Sequence, residues 1–281
     1  MAETPEDRAP TGGDDPVVWE RLSVGDGART VAVVRLNRPD SLNPIDTSVL
    51  AALDAALDEI AFDPQVATVL VTGNGRAFSA GGDLKGYQEL QQDPVAFPRF
   101  VADLHRVFGR FRQLPVPTVA LVNGVAVAGG LELILNCDFA LVAESARIGD
   151  GHLNFGQMGG GGVLTLLPRA IGRARAAELV FSGRLLTAPE CVEWGLASRV
   201  VPDADLLDEG LAFATEVAAK SPLAVANAKA VMHDLWADNG SVDAGLRYEL
   251  ERDVYYCLTS HDAPEGLAAF REKRTPRFEG R

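Results

Sequence analysis

The chain has 281 residues, 47% of them hydrophobic and 23% charged, which suits one large soluble domain with a full core and an appendage. A formal net charge of −13 argues against nucleic acid as a partner, because phosphate neutralisation needs basic surface, but it leaves room for a local basic patch on a phosphorylated small ligand. The three cysteines, Cys137, Cys191 and Cys257, are widely spaced and form no CxxC, so neither a zinc site nor a disulfide framework is expected, and no apolar run reaches the roughly 18 residues of a membrane span.

Residues 1–15 carry Pro, Gly and acidic residues without periodicity and read as a disordered acidic tail. The start is acidic and polar, the opposite of a signal peptide, so the expected setting is cytoplasmic and reduced. Val17–Leu22 and Thr30–Leu36 read as a hairpin closed at Gly25-Asp26-Gly27. Asp46 is placed to cap a helix whose apolar positions Leu50, Leu53, Leu57 and Ile60 share one face. The β-branched run Thr68–Thr72 predicts a strand. Next comes a helix over about Pro98–Gln113, striped by Phe100, Val101, Leu104, Val107, Phe108 and Phe111 and stopped at Leu114-Pro115-Val116-Pro117. A strand at Thr118–Val122, a short helix at Leu131–Asn136 and a strand at Phe139–Ala143 follow. Alternating helices and near-continuous apolar strands indicate an α/β fold with both sheet faces covered. After Val201-Pro202-Asp203 only helices are predicted: Leu206–Ala219, Pro222–Trp236, Val242–Leu258 and Pro264–Lys273. The core is therefore expected over 16–202 and a helical region over 203–281.

Two segments carry the chemistry. Arg76-Ala77-Phe78-Ser79-Ala80-Gly81-Gly82-Asp83-Leu84-Lys85 and Asn123-Gly124-Val125-Ala126-Val127-Ala128-Gly129-Gly130-Leu131-Glu132 each follow a predicted strand and bend through glycine. Two such bends can aim free backbone N–H groups at one point and stabilise an anion without side chains. Glu132, three residues past the Gly129 bend, supplies an acid–base group. Its neighbours Leu131, Leu133, Ile134 and Leu135 suggest burial, where an idle carboxylate would be costly. The plainer alternative is a carboxylate that complements a helix dipole.

These segments resemble the crotonase (enoyl-CoA hydratase/isomerase) superfamily. Further matches are VRLNRPDSLNPID at Val34–Asp46, FSGRLLTAPECVEWGLASRVVP at Phe181–Pro202 and EGLAAFREKRTPRFEGR at Glu265–Arg281. Together they cover nearly everything from about residue 17 onward. The resemblance implies a spiral of ββα repeats and a helical C-terminal region that mediates homotrimers, often paired into hexamers. It also implies an acyl-CoA ligand, with coenzyme A entering as part of the substrate and no separate cofactor or metal. The N–H groups of Ala80 and Gly129 match the pair that grips the thioester oxygen. Ser79, Gly82, Asp83, Leu84, Lys85, Tyr87 and Gly130 fall around the implied substrate site, and Arg38, Lys85 and Lys273 are candidates for the CoA phosphates or solvated surface charges. Asp83 is expected to brace its loop by accepting backbone hydrogen bonds.

Family hydratases place two glutamates beside a water molecule. The first matches Glu132, and His152 stands at the second position. A neutral imidazole with a pKa near 6.5 still serves as acid or base. It can also hydrogen-bond a substrate carboxylate that a glutamate would repel; a loop hydrogen bond with Asp150 or Asn154 is the structural alternative. The run Gly159-Gly160-Gly161-Gly162 reads as an unusually mobile loop that lets a ligand approach the backbone. The expected activity is an enoyl-CoA hydratase-type lyase acting through a thioester enolate. A decarboxylase, an isomerase or a thioester hydrolase of the same superfamily stands beside it, as does a non-catalytic acyl-CoA binder.

Overall fold

The computed structural model describes residues 15–25, 27–237 and 242–281. Strands β1 (Val17–Val24) and β2 (Arg29–Leu36) pair antiparallel; Asp26, at the expected turn, lies outside the described residues. Helix α1 (Thr47–Ala61) is capped as its sequence predicts, Asp46 accepting from the N–H groups of Ser48 at 2.9 Å and Val49 at 3.0 Å. Its buried face holds Leu50, Leu53, Leu57 and Ile60, joined by Val49 and Ala56.

Strand β3 (Val66–Gly73) is buried along its whole length, as a central strand covered on both faces must be. The chain then leaves the sheet for a second, smaller one through β4 (Ala77–Ser79), and continues into α2 (Leu84–Leu90) and α3 (Ala96–Gln113). The pattern repeats with β5 (Thr118–Val122), β6 (Val125–Val127) and α4 (Gly129–Ile134), and again with β7 (Phe139–Ala143) and β8 (Arg147–Gly149). This is the spiral that the resemblance implies.

Residues 150–202, where the sequence gives few periodic cues, add α5 (Val163–Ile171), α6 (Arg173–Ser182), β9 (Leu186–Thr187), α7 (Ala188–Trp194) and β10 (Arg199–Val201). Six strands form the main sheet in the order β1-β2-β3-β5-β7-β10, parallel except for the β1–β2 hairpin. Four form the second sheet in the order β4-β6-β8-β9, of which β4, β6 and β8 are parallel.

Helices α8 (Leu206–Ala218), α9 (Pro222–Ala237), α10 (Val242–Thr259) and α11 (Asp262–Glu272) lie close to their sequence-based spans. The first of them still belongs to the sheet layers. Leu206, Gly210 and Ala214 of α8 are buried, and a Cβ on Gly210 would come within 2.9 Å of Leu121 and 3.1 Å of Leu70. The core therefore continues past residue 202. Lys229 ties α9 to the same body, its Nζ donating to Phe111 O at 3.0 Å and Val116 O at 2.8 Å and pairing with Asp138 at 2.8 Å.

Candidate active site

Strands β4, β6 and β8 run parallel with Ser79 opposite Ala126 and Val127 opposite Gly149, so all three end at one edge. Just beyond that edge lie Gly81–Gly82, Ala128–Gly129 and Asp150–His152. A cavity of about 490 Å³ opens there, lined by Ile45, Gly82, Tyr87, Phe100, Leu104, Val127, Gly129, Glu132 and His152 among others. Ligands in parallel α/β architectures commonly bind outside the carboxyl ends of the strands, where loops diverge.

The two glycine bends touch. A Cβ on Gly81, whose φ is +95°, would meet Ala128 Cβ at 2.9 Å and Gly129 N at 3.6 Å. Ala128 itself adopts a positive φ of 52°, a strained state for a residue with a side chain. That strain is held at the point where α4 begins. The expected short helix starts two residues early, at Gly129, so the Gly129 N–H belongs to a first turn that has no intrahelical acceptor.

The first bend requires a correction. The Ala80 N–H donates to Leu42 O at 2.9 Å and is not available to a ligand. Gly81 N–H is held by Ser79 Oγ at 3.2 Å, while Ile45 N–H donates to Gly81 O at 2.8 Å. Gly82 is exposed to the cavity, and among the described residues its N–H has no hydrogen-bond partner. Gly82 and Gly129 both line the cavity, and among the described residues neither N–H has a hydrogen-bond partner, so these two replace Ala80 with Gly129 as the candidate pair. Sequence reading missed this because adjacent amides on a bend point in different directions, and only the contact with Leu42 shows which one is spent.

Two other expected substrate contacts are structural. Ser79 is fully buried and its Oγ donates to Asn43 O at 2.7 Å, so it braces the bend from behind. Gly130 is buried against β4, where a Cβ would sit 2.5 Å from Ser79 O. Its lack of a side chain lets α4 approach the strand.

Glu132 is 1% exposed and faces the cavity from the first turn of α4. Its Oε1 accepts from Gly161 N–H at 2.7 Å and Val163 N–H at 3.3 Å, the second at the start of α5. The glycine run has its explanation here. A Cβ on Gly161 would lie 2.5 Å from Glu132 Oε2, and one on Gly159 would lie 3.0 Å from Oε1. The segment thus wraps the carboxylate, a closer task than the ligand-approaching loop expected from sequence. Burial pushes the Glu132 pKa above the ordinary carboxylate range, against the pull of the His152 charge and the two amides.

His152 opens a short 3-10 turn (His152–Phe155) and lines the same cavity. Its Nδ1 lies 2.7 Å from Asp150 Oδ1, and its Cε1 lies 3.4 Å from the point a Gly159 Cβ would occupy. Glu132 Oε1 lies 3.0 Å from that same point, so glutamate and imidazole are close neighbours. Burial opposes charge on the imidazole, yet the Asp150 hydrogen bond and the Glu132 carboxylate outweigh it and raise the His152 pKa. Asp150, which the sequence suggested only as a loop partner, is fully buried.

Tyr87 lines the cavity, as expected, set edge-on to Phe97 and Phe100 at ring separations of 5.4 and 6.0 Å. Asp83 lines it too, with its carboxylate over the first turn of α2, 3.0 Å from where a Gly86 Cβ would sit. The side chains of Leu84 and Lys85 lie outside the described residues. Arg38 is not free for a phosphate. Both its Nη atoms pair with Asp46, at 2.6 and 2.7 Å, and it also bonds Ser48 Oγ, so it stabilises the cap of α1. Lys273 sits exposed at the C-cap of α11 and is not among the cavity lining.

Fold and site together define a two-sheet spiral α/β protein of crotonase type, whose cavity sets two free amides beside a carboxylate and an imidazole. The family model for enoyl-CoA hydratase/isomerase matches residues 26–281, and the chain belongs to that family. It is 37% identical over 248 residues to a probable enoyl-CoA hydratase of Mycobacterium tuberculosis, covering 88% of this chain and 94% of the relative. It is 34% identical over 256 residues to the 2,3-dehydroadipyl-CoA hydratase of Escherichia coli, covering 89% and 96%. Among solved structures, the enoyl-CoA hydratase of Bacillus anthracis superposes with a TM-score of 0.85 at 34% identity, over 92% of this chain and 99% of that one.

Proposed function

We propose that this chain is an enoyl-CoA hydratase-type lyase acting through a thioester enolate. One observation carries the reading: Gly82 and Gly129, whose N–H groups have no partner among the described residues, line one cavity together with Glu132 and His152. A 2-enoyl thioester seated with its carbonyl oxygen on the two amides presents its double bond to Glu132 and His152. Glu132 takes a proton from water as the hydroxyl oxygen bonds to C3. The π electrons pass to C2 and the thioester oxygen, where the amides stabilise the enolate; each such donor is worth about 3 kcal/mol in the barrier. The His152 imidazolium then protonates C2, and transfer of the proton from Glu132 back to His152 restores the resting pair. The walls from Ile45, Phe100 and Leu104 suit an apolar acyl chain.

The test is turnover of crotonyl-CoA to 3-hydroxybutyryl-CoA, followed by loss of the conjugated enoyl thioester absorbance. Turnover of malonyl-type thioesters with none of crotonyl-CoA would instead favour the decarboxylase reading, in which the His152 cation holds the departing carboxylate.

A homotrimer or a hexamer of paired trimers is part of this proposal. Leu246, Leu250, Tyr255 and Leu258 are exposed on α10, and Leu267 and Phe270 on α11, an apolar area suited to cover by another copy. Sedimentation of the purified protein checks it, with a monomer as the refuting result. No helix among the described residues is long and apolar enough to cross a membrane. A cytoplasmic setting, supported by few and unpaired cysteines, completes the reading.

A further inference from the structure

We propose that Asp150 is a positioning residue for the reaction: its buried carboxylate holds His152 in the tautomer with Nδ1 protonated and thereby presents Nε2 to Glu132 and the substrate. Three observations carry this. First, an ionised carboxylate can only accept, so with Asp150 charged the 2.7 Å contact between its Oδ1 and His152 Nδ1 places the proton on Nδ1. Second, Gly151 at φ +66° turns the chain so that residues 150 and 152 meet, and a Cβ there would lie 2.6 Å from Val127 Cγ1. The turn is thus built and packed, with the imidazole Cε1 edge directed toward the Gly159 position that Glu132 Oε1 also approaches.

Third, the cost of Asp150 identifies its purpose. Asp150 Oδ2 is buried and has no hydrogen-bond partner among the described residues. An asparagine would brace the same loop without burying a charge, so a plain structural contact gives no reason for the acid. A negative charge does have a use if the neighbouring ring must stay protonated while facing into a buried cavity. The charged and titratable groups around the ring are Asp150 on its own segment, Glu132 from α4, and Asp83 and Tyr87 across the cavity. Among the described residues, only Asp150 contacts Nδ1. In this arrangement the second carboxylate of a two-glutamate site is replaced by a carboxylate one step removed, acting through an imidazole.

The assignment of proton delivery to His152 rests on the proposed hydratase reading; the tautomer and charge of the ring do not. The experiment uses the full chain with ¹⁵N-labelled histidine and follows the ring nitrogens through a pH titration, with H152Q assigning the signal. The expected wild-type result is a titration midpoint above the ordinary value of about 6.5 and a neutral form protonated at Nδ1. In D150N the midpoint falls by about one unit or more and the Nδ1 preference is lost. With crotonyl-CoA, D150N is expected to lower kcat by about 10- to 100-fold, the factor carried by one hydrogen bond to a charged group, with KM within about twofold and the alkaline limb moved to lower pH. A wild-type ring protonated at Nε2 when neutral overturns the proposal even if D150N does not fold. So does a D150N protein with unchanged midpoint and alkaline limb. Absence of enoyl-CoA turnover in the wild type, with the ring titrating as expected, refutes the hydratase reading alone.

Discussion

Replacing Gly161 with alanine tests how the glycine run serves Glu132. The new methyl would stand 2.5 Å from Glu132 Oε2, 2.8 Å from Cδ and 3.2 Å from Cβ, closer than nonbonded carbon and oxygen tolerate. The carboxylate must move, and it cannot do so while keeping the 2.7 Å bond from the Gly161 N–H and the 3.3 Å bond from Val163. Losing a hydrogen bond to a charged group costs about 1.5–3 kcal/mol, which corresponds to about 10- to 150-fold in kcat. The same loss removes donors that favour the carboxylate, so the acid limb moves to higher pH. Gly160→Ala is the control. Its Cβ would meet nothing nearer than Val101 at 3.6 Å, an ordinary contact, and kcat should stay within about twofold. Hydration of crotonyl-CoA across a pH series reads both variants. Wild-type kcat in Gly161→Ala, or equal losses in the two, would refute the account of the run as a cradle.

Glu132→Gln should reduce kcat by about 10²- to 10⁴-fold while leaving thermal unfolding within a few degrees, since in the proposed mechanism it removes the proton acceptor. The proposed mechanism uses the Glu132 carboxylate and the His152 imidazolium, both with raised pKa values. Activity should therefore be lost as pH falls through a value above 4.5 and again as pH rises through a value above 6.5, read from the kcat profile. Ser79→Ala leaves Asn43 O and Gly81 N–H without their buried partner, and denaturant unfolding should show a loss of about 1–3 kcal/mol. Arg38→Ala removes the partner that holds the Asp46 carboxyl well below its usual range, and should cost about 1 kcal/mol with KM for the acyl-CoA unchanged. That contribution is present above the unfolded carboxyl value of about 3.9 and fades as pH falls below it, so the wild-type and variant stabilities should converge in acid.

Much of this protein is local enough to read along the chain. The cap at Asp46, the stripe of α3, the buried strands and the four terminal helices follow from periodicity and capping, which act over a few residues. Glu132 was legible from its place past the glycine bend among apolar neighbours, while the resemblance supplied the spiral and His152. The three-residue strands β4, β6 and β8 are too short to display alternation, and they exist because the main sheet delivers each of them beside the last.

What the tertiary structure alone decided concerns direction and partnership. The sequence pointed to Ala80 as the first donor, and the contact from the Ala80 N–H to Leu42 O overturns that, leaving Gly82 at the cavity. It offered Ser79, Gly130 and Arg38 as ligand contacts, and packing turned the first two toward the protein while Asp46 claimed the third. It showed Asp150 two residues from His152, and only the left-handed turn at Gly151 brings carboxylate and imidazole face to face. Residue type determines what a group can donate or accept; which partner it meets depends on contacts between segments tens of residues apart.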